Sequence, residues 1–285
     1  MLLPLVAIVI LLIVIVAMAM RSPPKPTYNY VITPRNSPCA TPANPKTILF
    51  VRGFASDKKL TYPMDLYKHI RDWFIGRDEY TVTWFEYTAD DILSDVYQRL
   101  RVEIERVDPD ILMGHSMGGL LSFKYMNDEL ESGTKLENLP SVFLMMAALE
   151  VTDNTVYNVL GALPKVILNN MKVPLEFAFP ASRLNDEGNI LNTNFTPTRA
   201  RQTYDAKMWQ SKSPEESIRK LERMRATIIS ADDDTFLPLA TDTITGLRNS
   251  NLVNYALIEG KHEAFTTRKD SSKFYEVFYA MLKSI

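Results

Sequence analysis

Asp110-Ile111-Leu112-Met113-Gly114-His115-Ser116-Met117-Gly118-Gly119 is the stretch on which the reading of this chain turns. Its first half is a short apolar run, the pattern of a strand buried on both faces. Its second half has the spacing G-x-S-x-G and opens a segment, 117–131, that reads as an amphipathic helix. In such a strand–turn–helix the serine sits on a strained turn and its hydroxyl projects above the sheet. Glycines two residues to either side leave room for close packing of helix against strand. Ser116 also falls at a helix N-terminus, where unpaired N–H groups and the helix dipole favour developing negative charge. The chain has only ten glycines, so a chance match to this spacing is rare. The plain alternative is a serine in an ordinary βα turn.

A serine hydroxyl is a weak nucleophile near neutral pH and needs a base. Three histidines are available, His69, His115 and His262. His69 sits among charged residues and reads as a surface histidine. His115 adjoins the serine, points away from it, and is expected to pack beneath the turn. His262 remains, in the loop Glu259-Gly260-Lys261-His262 after a strand at 252–258. For this turn the expected chain order is Ser, then Asp or Glu, then His. The acid therefore belongs after the strand at 227–231, where Asp232-Asp233-Asp234 precede Thr235-Phe236-Leu237-Pro238. Chemistry alone does not choose among three adjacent carboxylates, and at least two of them read as a solvated turn. Glu150 and Asp153 are the next candidates. An oxyanion hole needs two backbone N–H groups. Met117 supplies one, and Phe54 in Arg52-Gly53-Phe54, after the strand at 47–51, supplies the other.

Outward from these loops the chain alternates. Strands are expected at 47–51, 80–87, 110–113, 141–148, 227–231 and 252–258, and helices at 63–75, 90–107, 117–131, 239–248 and 271–284. In 90–107, Ile92, Val96, Leu100, Ile104 and Val107 recur at helical spacing, with Asp90 or Asp91 as cap and Asp108-Pro109 as stop. The alternation predicts a mostly parallel sheet covered by helices on both faces. Residues 150–213 break the rhythm with apolar patches at 159–168 and 173–179, and read as an insertion over the C-terminal strand ends, where ligands bind.

Composition narrows the function. Of 285 residues 46% are hydrophobic and 23% charged, a globular mixture, and the net charge of −2 implies no basic face for nucleic acid. The single cysteine, Cys39, excludes an internal disulfide framework and a Cys-rich zinc module, and no metal is called for. Residues 1–20 carry no charged side chain, enough to span about 30 Å of hydrocarbon as a transmembrane signal anchor. A signal peptide cut near Ala17-Met18-Ala19 is the competing reading, weakened by an N-terminus without Lys or Arg. Arg21, Lys25 and Arg35 follow the apolar run, which places the remainder on the cytosolic side. A lumenal domain would instead give meaning to the sequon Asn194-Phe195-Thr196. Residues 21–45 are Pro-rich and read as an extended linker to a domain at 46–285.

Taken together, Arg52-Gly53-Phe54, Gly114 to Gly119, Asp234 to Pro238 and Gly260-Lys261-His262 resemble the α/β-hydrolase superfamily, within it the monoacylglycerol-lipase-like serine esterases. The resemblance covers residue 46 to the C-terminus. It implies the α/β-hydrolase fold with a helical cap at about 150–213, and a triad of Ser116, Asp234 and His262 without cofactor. It selects Asp234 because in that family the acid lies four residues before a proline. It points to ester substrates, lipid-derived given the apolar insertion and anchor. A thioesterase, amidase or acyltransferase on the same scaffold, or a non-catalytic binding protein, are the rival readings. Two departures stand out: Arg52-Gly53 where the family has His-Gly, and Gly-Lys-His in the histidine loop.

Overall fold

The computed structural model describes residues 44–53, 67–75, 77–87, 91–150, 205–266 and 271–285, and the backbone of 173–174 and 194–195. Residues 1–43, with the apolar run and Cys39, lie outside them, as do Phe54, Asp153 and most of 150–213. Among the described residues no helix is long and apolar enough to cross a membrane.

Strands β1 (Lys46–Val51), β2 (Tyr80–Phe85), β3 (Ile111–His115), β4 (Ser141–Met145), β7 (Thr227–Ala231) and β8 (Asn254–Ile258) form one sheet in the order β2-β1-β3-β4-β7-β8. Every pairing in it is parallel. Two short strands, β5 (Val173–Pro174) and β6 (Asn194–Phe195), pair antiparallel as a separate ribbon. The helices are α1 (Lys68–Phe74), α2 (Leu93–Val107), α3 (Met117–Glu131), α4 (Pro214–Met224), α5 (Thr241–Asn249) and α6 (Ser271–Lys283).

Period-two alternation divides each strand between two cores. Leu49, Val51, Leu112, Leu144 and Ile228 pack with residues of α2, α3, α4 and α5. Ile48, Phe50, Met113, Phe143 and Ile229 pack with residues of α1 and α6. All of β3 and β7 is buried, which is why neither sequence alternates between apolar and charged residues.

Strand order positions the site. From β1 the chain passes through α1 to β2 on one side, whereas from β3 it passes through α3 to β4 on the other. The chain therefore departs from β1 and β3 in opposite directions, which makes the C-terminal ends of these neighbouring strands the switch point of the sheet. Gly53 and Ser116 follow these two strand ends.

The structure corrects several local readings. α2 begins at Leu93 and its N-cap is Ile92, extended and without a side-chain bond, while Asp91 pairs with Arg99 and Asp90 lies outside the described residues. Its end agrees with the sequence, since Asp108 adopts the left-handed conformation at φ 46°. α3 is not amphipathic, because it is buried on most sides as the central helix. Close approach is what its glycines permit. A Cβ on Gly118 would stand 2.1 Å from the Val51 carbonyl oxygen, and one on Gly119 2.4 Å from Ala147 Cβ. α4 is a helix that the alternation did not reveal. Ser213 accepts the Glu216 N–H, Pro214 takes the first turn, and Glu216 reaches back to the Lys212 N–H. Glu150 pairs with Ser211, so the excursion between them leaves and rejoins the body at one point beside the exit of β4.

Candidate active site

Ser116 follows β3 as the N-cap of α3, with φ 55° and ψ −120°, a conformation L-residues seldom hold. The turn is held by its backbone: Ser116 N–H donates to Met145 O at 3.0 Å, and Ser116 C=O accepts from Leu120 and Ala148, each at 3.2 Å. A Cβ at Gly114 would lie 2.5 Å from the Gly118 carbonyl oxygen, so the turn closes only on glycine there. The strain aims the Ser116 hydroxyl at the loop after β8.

Ser116 Oγ lies 2.9 Å from His262 Nε2, and His262 Nδ1 lies 2.8 Å from Asp234 Oδ2. With Nδ1–H donating to the carboxylate, the Nε2 lone pair faces the hydroxyl and accepts from it. The other Asp234 oxygen accepts the Phe236 and Leu237 N–H groups at 3.0 and 2.9 Å. All three side chains are buried, and the imidazole lies between the rings of Phe236 and His115, 4.9 and 5.0 Å away.

The three adjacent carboxylates have different surroundings. Asp232 Oδ1 accepts the Gly260 N–H at 3.0 Å, and Asp233 N–H donates to the Gly260 carbonyl at 3.0 Å, so this pair ties the loop after β7 to the histidine loop. Only Asp234 meets the imidazole. Glu150, the reserve candidate, accepts the Ala240 N–H and the Thr243 hydroxyl. It caps α5, whose own N-cap residue, Ala240, offers no side-chain acceptor.

Burial pushes the His262 pKa down, but the Asp234 charge and hydrogen bond outweigh it, with help from Glu263, and the net shift is upward. His115 goes the other way: burial and its neighbour His262 hold it well below the ordinary histidine value. His69 is partly buried on α1 rather than fully solvated.

Met117 is the first residue of α3, so its N–H has no acceptor within the helix. After β1, Gly53 N–H donates to Tyr67 Oη at 2.6 Å, and a Cβ at Gly53 would come within 3.0 Å of Ser116 Cβ. Arg52 is buried. Its guanidinium lies 5.2 Å from the Tyr67 ring centre and 3.6 Å from Glu86, and its carbonyl accepts from the Tyr87 hydroxyl at 3.0 Å. Two aromatic residues and a carboxylate thus surround the arginine that stands where the resembled esterases have histidine. Tyr67 and Glu150 in its capping role escaped the sequence reading. Neither belongs to a local motif, and each gains its position from a contact across the fold. Among the described residues no group of His, Cys, Asp and Glu could hold a metal ion.

The fold is similar to that of solved lipolytic and related proteins. A soluble variant of monoglyceride lipase from Saccharomyces cerevisiae, in complex with a substrate analogue, gives a TM-score of 0.57 at 14% identity over 92% of this chain and 99% of that one. MenH from S. aureus gives 0.59 at 15% identity over 86% and 96%. A structure from the metagenome-derived lipolytic enzymes LipS and LipT gives 0.56 at 16% identity over 84% and 96%. No protein-family model matches the chain, and no curated protein matches it in sequence. The chain has the α/β-hydrolase fold.

Proposed function

We propose that this chain is a serine hydrolase that cleaves carboxylic esters of lipid origin, monoacylglycerol-like in kind. The observation that carries the reading is the unbroken line Ser116–His262–Asp234, at 2.9 and 2.8 Å, at the C-terminal ends of β3, β7 and β8. Ser116 Oγ attacks the acyl carbonyl while His262 Nε2 takes its proton. Asp234 holds the Nδ1–H tautomer and stabilises the imidazolium. The tetrahedral oxyanion rests on the N–H groups of Met117 and Phe54. His262 then gives its proton to the departing alcohol, leaving the acyl-enzyme. A water molecule repeats the sequence, losing a proton to His262 as it attacks, and Ser116 regains its hydrogen as the acid departs.

Lipid substrates follow from two features of the sequence. Residues 150–213 are rich in apolar side chains and, as a helical cap, would line an acyl channel to Ser116. Residues 1–20, as a signal anchor with the domain at 46–285 on the cytosolic side, would keep the enzyme where amphiphiles concentrate. The test is an ester series from about two to twelve acyl carbons on the full chain in detergent. Each buried methylene contributes up to ~0.8 kcal/mol, close to a fourfold gain in kcat/KM. Activity falling from acetyl onward rejects the lipid reading and leaves a small-ester hydrolase. Faster turnover of matched thioesters would make it a thioesterase.

The protonation of His262 sets the pH profile. Its imidazole accepts the serine proton only when neutral, and its pKa is raised above the ordinary 6.5. On a soluble ester, kcat/KM is therefore expected to rise with pH through an inflection above 6.5. An inflection below that value would show that Asp234 does not stabilise the imidazolium.

A further inference from the structure

A second hydrogen-bonded line runs behind Ser116. Tyr67 lies immediately before α1, fully buried, its ring stacked on Phe265 at 5.7 Å and edge-on to Phe50 at 5.4 Å. Its hydroxyl lies 2.6 Å from Gly53 N and 2.9 Å from His115 Nδ1. On its far side, His115 Nε2 lies 3.2 Å from the carbonyl oxygen of His262.

These contacts fix the protons. The Gly53 amide can only donate, so Tyr67 Oη accepts from it. The His262 carbonyl can only accept, so His115 carries a hydrogen on Nε2. In the neutral ring Nδ1 is then an acceptor, and the Tyr67 hydroxyl donates to it. The line reads Gly53 N–H to Tyr67 O–H to His115 Nδ1, then Nε2–H to the His262 carbonyl. The line closes in this sense with His115 neutral. Burial agrees, holding His115 well below and Tyr67 well above their ordinary pKa values.

We propose that Tyr67 and His115 are positioning residues that lock the oxyanion loop and the histidine loop into one geometry. The proposal rests on the hydrolase reading above. Neither residue need touch substrate. At one end the line pins the Gly53 amide, one peptide plane before the plane that carries the Phe54 N–H. It also commits the Gly53 N–H, which is therefore not itself an oxyanion donor. At the other end it pins the backbone of His262, from which the imidazole is aimed at Ser116. These two loops follow β1 and β8, strands separated in the sheet by β3, β4 and β7, so no ladder bond couples them directly. His115, at the end of β3, sits where one side chain can bridge them. Packing alone would be met by phenylalanine at 67.

Tyr67→Phe tests this, since it keeps the ring and its stacking and removes the bridge. Displacing an oxyanion donor by a fraction of an ångström acts on the transition state more than on bound substrate. The expected result is a kcat about 10- to 100-fold lower, with KM little changed and a melting temperature lowered by a few degrees, since the Gly53 N–H and His115 Nδ1 lose the hydroxyl as partner. Histidine 15N NMR supplies a readout independent of turnover, and three histidines make its assignment tractable. The parent should show His115 as the neutral Nε2–H tautomer, and Tyr67→Phe should shift its Nδ1 resonance by loss of the hydroxyl donor. Parent-like kcat in Tyr67→Phe, or an Nδ1–H tautomer in the parent, overturns the proposal. If the parent shows the expected tautomer but neither reacts with a fluorophosphonate nor turns over esters, the hydrolase reading has failed. The positioning role falls with it.

Discussion

Ser116→Ala is expected to leave a folded chain that does not react with a fluorophosphonate and that turns over esters about 10⁶-fold more slowly than the parent. The size of the loss follows from the unit that the serine belongs to. Without Oγ there is no acyl-enzyme, and His262 and Asp234 have nothing to activate. What remains is the modest catalysis of an oxyanion site acting on water. The fold should survive because the strained turn is held by the Ser116 backbone, through Met145, Leu120 and Ala148, and not by its hydroxyl. Alanine at φ 55° carries the same steric cost as serine, having the same Cβ. Intact-mass spectrometry after labelling, with a thermal melt of the same sample, checks both halves. Unchanged labelling of the variant would place the nucleophile elsewhere and end the proposed mechanism.

Asp234→Asn is expected to lower kcat about 10⁴-fold, while Asp232→Asn and Asp233→Asn stay within a few-fold of the parent. The asymmetry comes from what each side chain faces. At 234 the oxygen that accepts from Phe236 and Leu237 can remain an oxygen in asparagine, so the loop keeps its shape. The amide nitrogen is then left facing His262 Nδ1. It can only donate, which forces the imidazole hydrogen onto Nε2, where it points at Ser116 and blocks proton acceptance. At 232 the contact is an oxygen accepting from Gly260 N–H, and asparagine keeps that too. Steady-state kinetics on the three variants, with melting temperatures, decides it. Sensitivity at 233 instead would mean that the register of the loop is wrong. Three small effects would mean an acid outside this turn, and Glu150 would be a poor choice for it, since its carboxylate already caps α5.

The strands and helices of the sheet were largely legible because their residues are in environments that local pattern reports. β3 and β7 are buried on both faces and read as short runs without a charged residue, and α2 shows its stripe at Val96, Leu100 and Ile104. Boundaries moved where backbone geometry outweighed composition. The expected strand at 252–258 starts only at Asn254, and the cap of α2 passed from an aspartate to an extended isoleucine. α4 carried a readable start signal at Ser213-Pro214-Glu215-Glu216, obscured by its position at the end of the irregular segment 150–213.

By itself the sequence determined the serine turn, because a spacing of glycines around one serine encodes steric room that no other residue supplies. It determined His262 by scarcity, there being one histidine after Ser116. It did not choose among Asp232, Asp233 and Asp234 without the resemblance to a family, since three like carboxylates in a row differ only in what lies opposite them. In the tertiary structure they differ by contact, since Gly260 takes Asp232 and the imidazole meets Asp234. The structure alone also brought Tyr67 to Gly53 and His115. Their hydrogen bonds join residues 14 and 48 positions apart, and a contact at such separation leaves no periodicity or spacing in the chain to be read.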